Sequence, residues 1–110
     1  MPAIPKPETA QQARARRKRE SAQLLARVRE LVTARDRVCR LCGDDWPLEL
    51  HHIRFRSAGG EHSTQNCLLL CRRCHRDAAH TSRYDIVPVD AALGADGEVN
   101  VHARPPKEKP

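Results

Sequence analysis

A chain of 110 residues, 31% of them charged and with one Trp, one Tyr and one Phe, holds little material for a large apolar core. It is expected to form one domain at most, with something other than hydrophobic burial helping it fold. Twenty Lys and Arg against fourteen Asp and Glu give a net charge of +6 and a pI near 9.5, which favours a polyanionic partner, the alternative being ordinary solubilising charge.

In chain order, residues 1–9 contain three prolines and nothing to pack, and read as a disordered lead-in. Residues 10–36 turn to Ala, Gln, Arg, Glu and Leu without Gly or Pro, and Leu24, Leu25, Val28, Leu31 and Val32 recur at helical spacing. This predicts a long helix whose back half docks on the rest of the protein. Its front half carries Arg14, Arg16, Arg17, Lys18 and Arg19, either as a solvated face or as an arm that contacts phosphates. Residues 48–55 read as a strand, 57–63 as a turn or ordered loop around Gly59 and Gly60, and 66–70 as a second short strand. A helix is expected over 71–80. Residues 84–89 and 98–102 alternate as a β-hairpin around residues 94–97, followed by a Pro/Lys tail over 103–110. No stretch approaches the roughly 20 apolar residues that span a bilayer. No apolar run near the start reads as a secretory signal. A soluble, cytoplasmic protein is therefore expected.

Two Cys-x-x-Cys pairs, Cys39/Cys42 and Cys71/Cys74, have the spacing of zinc ligands rather than of a disulfide framework. Four thiolates at one tetrahedral centre meet the requirement of structural zinc. Such a centre contributes on the order of 10 kcal/mol in small modules, comparable to a whole domain's stability. The fifth cysteine, Cys67, reads as a small buried side chain on a strand. A plain zinc ribbon separates its cysteine pairs by roughly 15 to 20 residues; here residues 43–70 intervene, and that surplus holds His51, His52 and Asn66. Adjacent residues of a strand point to opposite faces, so His51 and His52 divide between two tasks.

Leu50-His51-His52-Ile53, Gly59-Gly60, Asn66 and Leu70-Cys71-Arg72-Arg73-Cys74-His75 resemble the HNH endonuclease family in its four-cysteine zinc-binding subgroup. The resemblance covers residues 37–80 and implies a small α+β domain of the ββα-metal fold, stabilised by zinc, with the long N-terminal helix and the C-terminal β-hairpin added. In that reading residues 1–35 are the lead-in and basic helix, 36–83 the nuclease domain, and 84–110 the hairpin and tail. The family's roles carry over to His52 as general base, Asn66 as the side chain that restrains the loop and orients that base, and His51 and His75 as ligands of a divalent ion. A neutral imidazole with a pKa near 6.5 suits the base, and a loosely held ion suits charge stabilisation at phosphorus. Mn, Ni, Co, Zn and Mg all remain open as the working ion.

Many relatives place a further histidine four residues after the last ligand. Here that position is Ala79 and the histidine is His80, which an α-helix would swing about 140° away from His75, so that His80 is a further ligand only where the helix ends or distorts. His62 and His102 read as surface histidines. Arg54 and Arg56 follow the base as phosphate clamps or as idle exposed arginines, and Arg72, Arg73 and Arg76 can add backbone contacts. The implied partner is DNA, cut or nicked with low intrinsic sequence specificity, as in phage or mobile-element nucleases that work beside a DNA-packaging or other targeting protein. The alternative is a catalytically weak zinc-stabilised DNA-binding or adaptor module of the same fold.

Overall fold

The computed structural model describes residues 3–79 and 84–103. Helix α1 runs over Ala10–Asp36, as its composition predicts. Thr9 caps it: the Gln12 N–H donates to the Thr9 hydroxyl, and the Gln12 side chain accepts from the Thr9 N–H. Two antiparallel hairpins follow. Strands β1 (Leu48–His52) and β2 (Cys67–Cys71) pair with His51 opposite Leu68 and His52 opposite Cys67. Strands β3 (Tyr84–Pro88) and β4 (Val99–Ala103) form the second hairpin. Between β2 and β3 lie a single helical turn, α2 (Arg72–Cys74), and a π-helical turn over His75–Ala79. The result is a small α+β protein with a long N-terminal helix, in keeping with a ββα-metal domain.

The β1–β2 sheet is covered on both faces. Val28 and Val32 of α1 pack on Cys67 and Leu69, with Leu48 and Leu50 at the margin. The opposite face presents Leu68 and Leu70 to Cys39, Cys71 and Ala95, with Ile86 of the second hairpin packed against them. Cys67 is buried on β2, as expected, and burial pushes its thiol up.

Several expectations need correction. Leu24 and Leu31 are each 47% exposed, because a two-stranded sheet is too narrow to cover the whole apolar stripe of α1. Strand β1 ends at His52 rather than residue 55, so Arg54 and Arg56 lie in the loop and its short 3-10 turn (Arg56–Ala58), not on the strand. The helix expected over 71–80 is α-helical only to Cys74 and then widens into the π turn. His80 and the tail beyond residue 103 fall outside the described residues, among which no helix is long and apolar enough to cross a membrane.

At the end of α1 the Asp36 side chain, 2% exposed, accepts from Arg35, from Arg40 and from the Leu69 N–H of β2. Arg35 reaches on to Asp96 and to the Thr64 and Cys67 carbonyls, and Arg40 to the Ala95 and Gly97 carbonyls. One carboxylate thus joins helix, sheet and second hairpin. Burial raises the Asp36 carboxyl, but the Arg35 hydrogen bond, the Leu69 N–H and the two guanidinium charges outweigh it and hold the group below its ordinary value. A depressed carboxylate stabilises the fold above its unfolded pKa of about 3.9, and that contribution disappears as pH falls through and below it. Asp36→Asn should cost about 2 to 3 kcal/mol at pH 7. In urea unfolding between pH 7 and pH 3, the variant should lose less stability on acidification than the parent; parallel losses would refute the network's role.

Candidate metal centre and active site

The knuckle residues following α1 and the β2–α2 junction bring the four cysteines together. The Cys39 N–H donates to the Asp44 carbonyl and the Gly43 N–H to the Cys39 carbonyl, which closes the first turn with Gly43 at φ +81°. Cys71 caps α2, its sulfur accepting from the Cys74 N–H. The Arg40 N–H donates to the Leu69 carbonyl and so ties the first knuckle to β2. Among the described residues the four cysteines are the one group in which at least three ligand atoms lie within 4.8 Å of one another. The Cys42 and Cys71 sulfurs are 3.6 Å apart. A tetrahedral centre with Zn–S bonds near 2.3 Å has S···S edges of about 3.8 Å, so the donor set fits structural zinc.

The ionisation of the thiols leads to the same conclusion. Burial opposes charge on Cys39, but backbone hydrogen bonds at Cys71, Cys42 and Leu41 bring its thiol down to about 7. Burial and the neighbouring thiols of Cys71, Cys42 and Cys39 push Cys74 up. At Cys42 the backbone at Asp44 lowers the thiol, yet burial and the thiols of Cys71 and Cys39 raise it overall. Mutual repulsion of this kind among neighbouring thiols is what a divalent cation between them would relieve.

Strand alternation sorts the histidine pair as expected. His51, 3% exposed, shares its face with Glu49 and turns toward the π turn, where the His51 and His75 rings lie 5.1 Å apart, edge to face. Phe55 closes the other side of His51, with ring centroids 6.0 Å apart. Glu49 Oε1 is 3.1 Å from His75 Nδ1, and its other oxygen is 3.7 Å from the Arg72 guanidinium. The His75 contact first, then the charge of Arg72, holds the Glu49 carboxyl below its ordinary value. A carboxylate only accepts, so the neutral His75 ring carries its proton on Nδ1 and leaves Nε2 for an ion. Sequence reasoning missed Glu49, although its place two residues before His51 on a strand puts both on one face.

His52 faces the other way, toward α1, and does not share the space between His51 and His75. Its Nε2 lies 2.9 Å from His62 Nδ1, and His62 Nε2 lies 3.2 Å from the Ser21 hydroxyl. His62 is therefore not the idle surface histidine its glycine-rich loop suggested: the loop folds back over the sheet's edge and wedges the ring between β1 and α1. Burial, then the neighbouring His62 and Arg56, hold the His52 imidazole below its ordinary pKa, which favours the neutral, proton-accepting form. Asn66 restrains the loop but has no hydrogen bond to the His52 ring. Its Oδ1 accepts from the Arg54 N–H, and its Nδ2 donates to the Arg54 and Glu61 carbonyls. Gly60 is required there, since a Cβ would overlap the Arg54 carbonyl.

The basic residues separate into groups. Arg16 is taken up by Glu8 and Glu20, Arg76 by Asp77, and Arg73 lies 3.8 Å from Asp44. Arg54 donates to the Ala58 carbonyl and Arg56 to the Gly60 carbonyl, so both brace the loop. Among the described residues no ion pair holds Arg14, Arg17, Lys18 or Arg19.

Residues 39–81 match the family model described as HNH endonuclease, and over that stretch the chain carries an HNH domain, of the four-cysteine kind. The Type IV methyl-directed restriction enzyme EcoKMcrA of Escherichia coli (strain K12) is 39% identical over 49 residues, covering 36% of this chain and 18% of that protein. The chain thus spans under a fifth of the length of this relative. No solved structure matches.

Cys39→Ser should release the structural zinc and unfold the domain, whereas His52→Ala should keep both zinc content and melting temperature within about 2 °C of the parent. Elemental analysis and circular dichroism distinguish the two; a folded, zinc-loaded Cys39→Ser protein would refute the structural assignment.

Proposed function

We propose that the protein is a metal-dependent endonuclease that hydrolyses DNA phosphodiester bonds, with His52 as general base and with His51, His75 and His80 as ligands of one divalent ion. The observation that carries this reading is the approach of His51 and His75 to 5.1 Å between rings, in a frame fixed by four cysteines, with Glu49 setting the His75 tautomer. His80 lies outside the described residues and is proposed from the further histidine that the family places after the last ligand. The family match and the restriction-enzyme relative support DNA as substrate.

Strand β1 pairs with β2 alone among the described residues, so its other edge carries no strand pairing. A phosphodiester along that edge meets the His51 side from one face and the His52 side from the other. His52 takes a proton from water as the water oxygen bonds to phosphorus and the bond from phosphorus to the 3′ oxygen breaks. A bound divalent ion would supply Lewis acidity for the phosphoryl oxygens and for the charge on the departing oxygen. Arg56, close enough to His52 to affect its ionisation, is placed to attract the phosphate.

Affinity comes from the free basic face of α1. Arg14, Lys18, Ser21, Leu25, Val28 and Val32 follow one another at intervals of three and four residues, so the face that docks on the sheet continues outward as a basic one, with Arg17 beside it. These contacts read the backbone and not the bases, hence low sequence specificity. A second reading, an adaptor with weak cleavage, draws on the placement of His52 away from His51 and His75.

Supercoiled plasmid with Mn, Ni, Co, Zn or Mg distinguishes them. The parent should nick, and His52→Ala or His75→Ala should lower the rate by about 10² to 10⁴ while DNA binding persists. Equal plasmid integrity for parent and variants under every ion would establish the adaptor. His80→Ala should weaken the exchangeable ion by about 10-fold or more while leaving zinc in place. Removing charge at Arg14, Arg17 and Lys18 together should flatten the log–log salt dependence of DNA binding by about 3; Arg16→Ala should leave it unchanged.

A further inference from the structure

His62 belongs neither to the cysteine frame nor to the residues that carry the family resemblance, yet the structure holds it from two sides. Asn66 donates to the carbonyl of Glu61, the residue before it, at 2.9 Å, and the Ser21 hydroxyl of α1 lies 3.2 Å from its Nε2. Its Nδ1 is 2.9 Å from His52 Nε2, so Ser21, His62 and His52 form one hydrogen-bonded chain from α1 to the strand.

A neutral imidazole donates from one nitrogen and accepts at the other, so this chain has two directions. In one, His52 Nε2–H donates to His62 Nδ1 and His62 Nε2–H donates to Ser21 Oγ, leaving a lone pair on His52 Nδ1. In the other, the Ser21 hydroxyl donates to His62 Nε2 and His62 Nδ1–H donates to His52 Nε2, and His52 Nδ1 carries a proton and cannot take another. Only the first direction leaves His52 Nδ1 able to take a proton, so the role of His52 as base requires it. We propose that His62 is a positioning residue for His52: anchored by Ser21 of α1, it fixes the His52 ring and its Nε2–H tautomer, so that Nδ1 faces the hydrolytic water with a lone pair. The orientation of the base is thereby set by a helix that precedes the family match at residues 39–81. The proposal rests on His52 being the general base.

Side-chain nitrogen NMR of the zinc-loaded protein, without a second ion, tests the tautomer independently of activity. The parent should show His52 protonated on Nε2. His62→Ala should give a mixture of tautomers, and His62→Asn, which retains an acceptor at the Nδ1 position, should restore the parent pattern. In plasmid nicking His62→Ala should lower kcat about 10-fold to 100-fold with KM for DNA within twofold, Ser21→Ala should lower it less, and His62→Asn should recover most of the loss. Melting curves of each variant separate this from unfolding. A His52 ring protonated on Nδ1 in the parent, or one whose tautomer and rate are unchanged in His62→Ala, overturns the proposal even where His52→Ala is inactive. Full nicking by His52→Ala would instead overturn the assignment of the base.

Discussion

Four sulfur atoms gathered within 4.8 Å of one another are the constraint on which the remaining geometry depends. The apolar core consists largely of two small clusters on either side of a two-stranded sheet, and a lone hairpin of this size is marginal in water. The cysteines supply a fixed point at the Cys71 end of β2, and the Cys71 cap starts the turn that carries His75. Once that turn is fixed and β1 is in register with β2, His51 and His75 have no freedom to separate. The ligands of the candidate catalytic ion are therefore positioned by the structural centre, although no side chain is shared between them.

Much of this was legible in the residues. A run of 27 residues without Gly or Pro, with apolar residues at helical spacing, specifies α1, because propensity and spacing agree; the Thr9 cap was not read from the sequence. Alternation around Gly94 and Gly97 specifies the second hairpin, and the cysteine spacing specifies the tetrathiolate centre. What was not legible shares a cause: long-range pairing in segments without a period. His62 meets a partner ten residues away and another 41 away, and no pattern in a glycine-rich loop foretells either. Asp36 looks like an ordinary charged helix end, yet it becomes the buried acceptor for two arginines and a strand N–H. The apolar stripe of α1 shows which face docks but not how wide the partner surface is, hence the exposed Leu24 and Leu31.

The turn that starts at His75 departs from the α-helical geometry on which the motif's spacing is counted. On an α-helix, a spacing of five instead of four would carry the last histidine to a different face. The described turn over His75–Ala79 is π-helical, with i→i+5 hydrogen bonding in place of the α-helical i→i+4. A spacing counted on α-helical geometry therefore does not apply to the turn that starts at His75.

Helix α1 bears on the same question from outside the family match. If it served only to cover the sheet, Val28 and Val32 would be sufficient and Ser21 would be an arbitrary surface residue. Instead the face that buries those valines continues through Ser21, where it touches the His52–His62 pair, to Lys18 and Arg14, where it is basic. A phosphate backbone drawn to that face by charge would run along the helix toward the unpaired edge of β1. On the proposed reading, binding and orientation of the base would both depend on α1, with affinity at its basic half and turnover at Ser21. An adaptor needs the first of these and has no use for the second.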